Sequence, residues 1–157
     1  MKYTKAKKKV LSIHGVYSEQ VNALHSKTTS TAAKITETKV LQWADKLTTD
    51  SKIVKKMYKE KSNVDFEFFY APLDIKKFEK LKNVDKKEKQ IIFIGRDSYE
   101  KGIDILRKIE SKIDAKIIYC TDMKWEDAME NLKASRLLVV PSRMESIPQV
   151  IKEAFYL

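Results

Sequence analysis

Leu137-Leu138-Val139-Val140-Pro141-Ser142-Arg143-Met144-Glu145, with Glu153 following further along, is the stretch on which the fold turns. Four consecutive apolar residues before a proline read as a buried strand, and residues 136–141 are assigned to it. Ser142 to Glu145 then form a polar turn carrying one carboxylate. Beyond the turn, Ile147, Val150, Ile151 and Ala154 recur at helical spacing, and this helix carries the second carboxylate. Ser146 is expected to be its N-cap, with Gln149 three residues later completing a capping box and Pro148 in the first turn. A helix running from Glu145 to Glu153 would separate the two acids by roughly 12 Å. The free N–H groups at its start would favour an anion between them. In an α/β sheet the ligand crevice lies at the carboxyl ends of the strands, where this turn falls. Two separated acceptors there suit a sugar nucleotide, although two glutamates on a surface helix need mean nothing by themselves.

The segments upstream supply the rest of a sheet. Gln90-Ile91-Ile92-Phe93-Ile94 is a continuous apolar run ending at Gly95-Arg96. A polar turn, Asp97 to Gly102, leads into a helix marked by Ile103, Leu106, Ile109 and Ile113. Lys116-Ile117-Ile118-Tyr119-Cys120 is a second strand, and Trp125, Met129 and Leu132 mark a second helix. Strands alternating with helices in this rhythm predict a parallel sheet with right-handed crossovers. Arg96 and Lys101 then leave the carboxyl end of the first strand, toward the crevice that holds Glu145. Two cations and two carboxylates converging there could hold a diphosphate with its sugar and ribose hydroxyls. Each basic residue alone is more often a solvated surface charge.

These residues carry a family resemblance. Phe93-Ile94-Gly95-Arg96, Glu100-Lys101-Gly102, Val139-Val140-Pro141-Ser142 and Glu145 through Glu153-Ala154 resemble the donor-binding half of the retaining group 1 glycosyltransferases, which have the GT-B architecture of two Rossmann-like domains. The "GR…KG" and "PS…E-x7-E-A" signatures match in order and spacing. The resemblance implies that Arg96 and Lys101 hold the donor diphosphate, that Glu153 binds the ribose, and that Glu145 lies near the donor sugar as a catalytic group. Ser146 joins the donor-binding set, at the place where the family usually has a Gly-rich turn; here the sequence is Ser146-Ile147-Pro148. The implied cosubstrate is a nucleoside-diphosphate sugar, with no metal and no further cofactor.

The front half resembles the acceptor side of the same family. Val10-Leu11-Ser12-Ile13 reads as a strand ending at His14, which in the resemblance faces the transferred sugar as a catalytic residue; a structural histidine is the alternative. His25 lies in a Ser/Thr-rich stretch without pattern. Residues 32–47 read as a helix, 47–51 as a strand, 52–61 as a helix and 65–69 as a short strand. The expected organisation is α/β, GT-B-like, in two incomplete Rossmann-like halves with parallel sheets: an acceptor-side part over 1–75, a Lys-rich linker over 76–89 and a donor-binding part over 90–157. The resemblance places further strands before His14 and after Glu153. The chain would then correspond to the middle of such an enzyme, active or reduced to a non-catalytic nucleotide-sugar or partner-binding module. Exposed sheet edges would favour a homo-oligomer or a complementing chain.

Composition adds bounds. The 157 residues are 43% hydrophobic, in the range of globular proteins, and include only three glycines. Cys120 is the single cysteine, so no intramolecular disulfide forms and no cysteine metal spacing exists. No apolar run has the length of a membrane span or the flanks of a signal peptide, which points to a cytoplasmic setting. The formal charge is +10, concentrated near the N-terminus and in residues 76–89. Lys52, Lys55, Lys56, Lys59 and Lys61 surround Ile53, Val54, Met57 and Tyr58. That helix could dock on an anionic membrane surface, suiting a lipid-linked acceptor (a protein glycan is the other kind), or pack its apolar stripe into the core. Only four of the 32 basic side chains are arginines, the residue that base readout favours, so no specific nucleic acid is expected. A basic surface binder of nucleic acid or membrane remains the rival class.

Overall fold

A computed structural model of the chain describes residue 3, residues 5–24 and residues 27–157, the side chains of Gln20, Ala23, Leu24 and Lys27 apart. His25 lies outside the described residues. The chain is α/β and divides into two compact units, residues 1–71 and 72–157.

In the first unit, strands β1 (Val10–Ser12), β2 (Lys46–Thr49) and β3 (Glu67–Phe68) form a parallel sheet in the order β1-β2-β3. Helices α1 (Tyr17–Leu24) and α2 (Lys27–Leu41) connect the first two strands, and α3 (Lys52–Ser62) connects the next pair. Val16, Leu41, Val54, Tyr58 and Phe66 make the core. The helix expected over 32–47 instead ends at Leu41, and α1 was not anticipated. The end is set by competing bonds: the N–H groups of Asp45 and Lys46 donate to the Lys9 carbonyl, at 2.9 and 3.2 Å, so the chain is already entering the sheet there. Within α2 the hydroxyls of Thr36 and Thr38 donate to the carbonyls of Ala32 and Lys34, four residues back, so these polar groups are satisfied within the helix. Glu37 anchors α1 by accepting from the Tyr17 N–H (2.8 Å) and the Ser18 hydroxyl (2.6 Å), a carboxylate placed at the positive end of a helix. The Tyr58 hydroxyl also donates to Glu37. Burial, reinforced by that carboxylate, pushes the Tyr58 phenol far above its usual range. Helix α3 turns Val54 and Tyr58 into the core, while Lys55, Lys56 and Lys61 pair with Asp65, Glu60 and Glu19.

The second unit has a parallel sheet of β4 (Gln90–Ile94), β5 (Lys116–Cys120) and β6 (Leu137–Leu138) in the order β5-β4-β6. Alternation along the central strand sorts its two faces. Ile92 and Ile94 lie with Cys120, Met129 and Leu132, covered by α5 (Trp125–Ala134) and α6 (Gln149–Tyr156). Phe93 packs with Ile103 and Leu106 of α4 (Ile103–Ile109) on the opposite face. Burial pushes the Cys120 thiol above its ordinary value. The lysine-rich stretch read as a linker contains a 3-10 helix, Ile75–Lys80, and its Phe78 and Leu81 are buried in the same core as Ile92. Three scattered apolar residues, Phe78, Leu81 and Val84, among seven lysines gave too weak a pattern to announce it.

The expected strand over 136–141 pairs through Leu137 and Leu138, with the Arg136 and Val139 N–H groups donating to the Gln90 and Ile92 carbonyls, each at 2.9 Å. Pro141 has no N–H to continue the ladder. The expected capping box is absent. Helix α6 begins at Gln149, with Pro148 as its cap and no side-chain cap bond, so Ser146 lies two residues before the cap position and does not cap the helix. The spacing of Glu145 and Glu153 along one helix therefore does not apply. Among the described residues no helix is long and apolar enough to cross a membrane.

Candidate functional site

Because β4 and β6 are parallel neighbours, the loops that follow them emerge side by side at the carboxyl end of the sheet. The chain leaves β4 toward β5 on one side, while β6 returns on the other, the situation in which an α/β sheet opens a crevice. A cleft of about 300 Å³ lies there, with Phe93, Ile94 and Val140 on its apolar part and Lys101, Ser142, Glu145, Gln149 and Glu153 supplying polar groups.

The two loops are joined closely. Gly102 has φ 69°, in the left-handed region, and an added Cβ would lie 2.2 Å from the carbonyl oxygen of Pro141. Only glycine allows the loop after β4 to meet the end of β6 this closely. Arg143 closes the junction from the other side. Its N–H donates to the Glu100 carbonyl at 2.9 Å, and its guanidinium donates to the Tyr99 carbonyl at 2.5 Å. The same group forks onto both oxygens of Asp104, at 2.7 and 2.9 Å, and stacks 3.7 Å from the Tyr99 ring centre. The Arg143 guanidinium holds the Asp104 carboxyl below the usual carboxylate range. Asp97 and Arg107 form a second bidentate pair, at 3.2 and 2.7 Å, which ties the start of the turn to α4. Arg143 escaped the sequence reading because nothing local marks it. Its partners lie about forty residues earlier, on a loop made adjacent only by the strand order.

On this frame Lys101 donates to Glu145, and the Ser142 hydroxyl lies 2.9 Å from the same carboxylate oxygen. Glu153, on α6, is buried and accepts from the Trp125 indole N–H at 2.9 Å. Trp125 is itself held edge-on to Phe78, with ring centres 5.0 Å apart. Among the described residues no cation pairs with Glu153. Burying a carboxylate on one neutral donor is costly, which makes Glu153 a candidate binding group rather than a packing residue. Three of the four expected ionic residues, Lys101, Glu145 and Glu153, thus line one cleft. Arg96 does not: its exposed guanidinium pairs with Glu100 in the turn after β4. Ser146 is absent from the lining as well, although Ile147 and Pro148 beside it are part of it.

His14 belongs to the first unit, just past the carboxyl end of β1. Its Nδ1 lies 3.0 Å from Asp50 Oδ1, and its Nε2 lies 3.2 Å from the Ser12 hydroxyl. An ionised carboxylate only accepts, so Asp50 sets the neutral ring as the Nδ1–H tautomer, with Nε2 left as an acceptor. The ring is largely exposed, whereas Asp50 is nearly covered. A second concavity in this unit, about 220 Å³, lies among α1, α2 and α3 and includes Glu37, Tyr58, Lys34 and Lys61, several of them already engaged in holding α1. Among the described residues no three His, Cys, Asp or Glu side chains cluster as a metal site would require. No family model and no curated protein matches the sequence.

Proposed function

We propose that the second unit binds a nucleoside-diphosphate sugar at the carboxyl end of its sheet, and that the chain is a glycosyltransferase-like protein of GT-B type. The observation that carries this reading is the convergence of Lys101, Glu145 and Glu153 on one cleft. Lys101 supplies the cation for a diphosphate, and the N–H groups at the start of α6 add to it. The carboxylates of Glu145 and Glu153 are acceptors suited to the hydroxyls of a sugar and a ribose. If transfer occurs, it proceeds with retention, and the departing diphosphate is stabilised by preorganised charge. His14 is the site residue of the first unit, with Asp50 fixing its tautomer. The acceptor is not specified by anything in the second unit.

A second reading, a nucleotide-sugar binding module without catalysis, is favoured by one observation: Arg96 is turned to Glu100 instead of the cleft. Calorimetric titration with UDP and with GDP tests the shared basis of both. At least one should bind the wild-type chain, and Glu153→Ala should weaken it roughly tenfold, as the loss of a buried charged hydrogen-bond partner does. Silence toward both nucleotides at millimolar concentration would remove the basis of either reading. Binding without hydrolysis or transfer of any donor would leave the module and end the enzyme.

A further inference from the structure

Both cations that the family resemblance assigns to a diphosphate are already occupied by carboxylates of the same unit: Lys101 by Glu145 and Arg96 by Glu100. The Lys101–Glu145 pair matters more, because it lies within the cleft, with side chains only 26% and 24% exposed. Resting on the reading of the cleft as a diphosphate site, we infer that this pair is an electrostatic latch. In the free chain Glu145 neutralises Lys101. An incoming diphosphate takes the ammonium from it and releases the Glu145 carboxylate into the cleft.

The latch can open because the frame does not depend on it. The two loops are held by the Gly102–Pro141 approach, by the Arg143 N–H on the Glu100 carbonyl, and by the Arg143 fork on Asp104. Breaking the Lys101–Glu145 pair leaves all three in place. A diphosphate carries more charge than one carboxylate and presents several acceptor oxygens, so it outcompetes Glu145 for the ammonium. The carboxylate does not lose all its hydrogen-bond partners, since the Ser142 hydroxyl reaches the same oxygen. One event therefore loads the anion and delivers a free carboxylate beside it.

Every diphosphate must first displace Glu145, so removing that charge should strengthen binding even though the residue lines the site. In titrations with inorganic diphosphate and with UDP and GDP, Glu145→Gln should bind roughly fivefold tighter than wild type, the scale of a partly exposed ion pair. Glu145→Ala should move in the same direction, and Lys101→Met should lose inorganic diphosphate altogether. In the wild-type chain, the carboxylate carbon resonance of Glu145 should shift as diphosphate is added. Wild-type binding that Glu145→Gln leaves equal or weaker would overturn the latch while leaving the cleft as a nucleotide site. Absence of binding in wild type and both Glu145 variants would instead overturn the site itself, and the latch with it.

Discussion

Gly102→Ala should unfold the second unit far more readily than its size suggests. Gly102 has φ 69°, a conformation that costs an L-residue about 1–2 kcal/mol. The added Cβ would also stand 2.2 Å from the Pro141 carbonyl oxygen and 2.8 Å from its carbon, where contacts under 3.0 Å essentially never occur. The obstacle is backbone, so no side-chain rotation relieves it. Relief means moving the end of β6, which the Val139 N–H bond to Ile92 and the Arg143 N–H bond to Glu100 both resist. Overpacking of this kind costs roughly 1–3 kcal/mol, and the two effects together come to about 3 kcal/mol. For a unit of this size that lowers the melting temperature by about 15 °C. Trp125 reports on this unit and Trp43 on the other, so fluorescence in a Trp43→Phe background follows it alone. Gly95→Ala is the control. Its Cβ would meet the Phe93 ring at 3.2 Å, a side chain that can give way, and the loss should stay under about 1 kcal/mol. Equal melting of Gly102→Ala and wild type would refute the close loop junction, and with it the frame of the site.

Two further outcomes follow from the charges. Arg143 holds the Asp104 carboxyl below its ordinary 3.8. A depressed folded value gives stability that is complete above the unfolded one and fades as pH falls through the folded one. The urea midpoint of Asp104→Asn should therefore lie below wild type at roughly pH 7 and converge with it near roughly pH 2, and a constant difference across that range would contradict the clasp. In the first unit, long-range nitrogen–proton spectra should show neutral His14 as the Nδ1–H tautomer and Asp50→Asn should dissolve that preference; an Nε2–H ring in wild type would be the contrary result.

The sheets were legible where burial on both faces wrote itself into the sequence. Within Gln90–Ile94 and Lys116–Cys120 the residues after the first are apolar or aromatic, and the two segments pair residue for residue as parallel strands. Lys101 and Glu145 fall in the turns after strand ends that the apolar runs marked, and they line one cleft with Glu153, although Glu153 is reached from a helix that starts later than its spacing implied. What escaped has non-local causes. The helix start after Pro148 is decided without a side-chain cap, so Ser146 and Gln149 offered a signal the chain does not use. Arg96 followed its near neighbour Glu100 instead of the distant cleft, because an i,i+4 partner is closer than a pocket assembled from another loop. Phe78 was hidden by the lysines around it. Asp50 became a partner of His14 only once β1 and β2 were side by side.

The most direct test of the cleft is a nitrogen–proton NMR titration of the whole chain with GDP and with UDP. The account predicts that the shifted amides cluster on residues 93–102 and 140–153, at the ends of β4 and β6 and the start of α6. Shifts gathered instead among α1, α2 and α3, or none at saturating nucleotide, would contradict it.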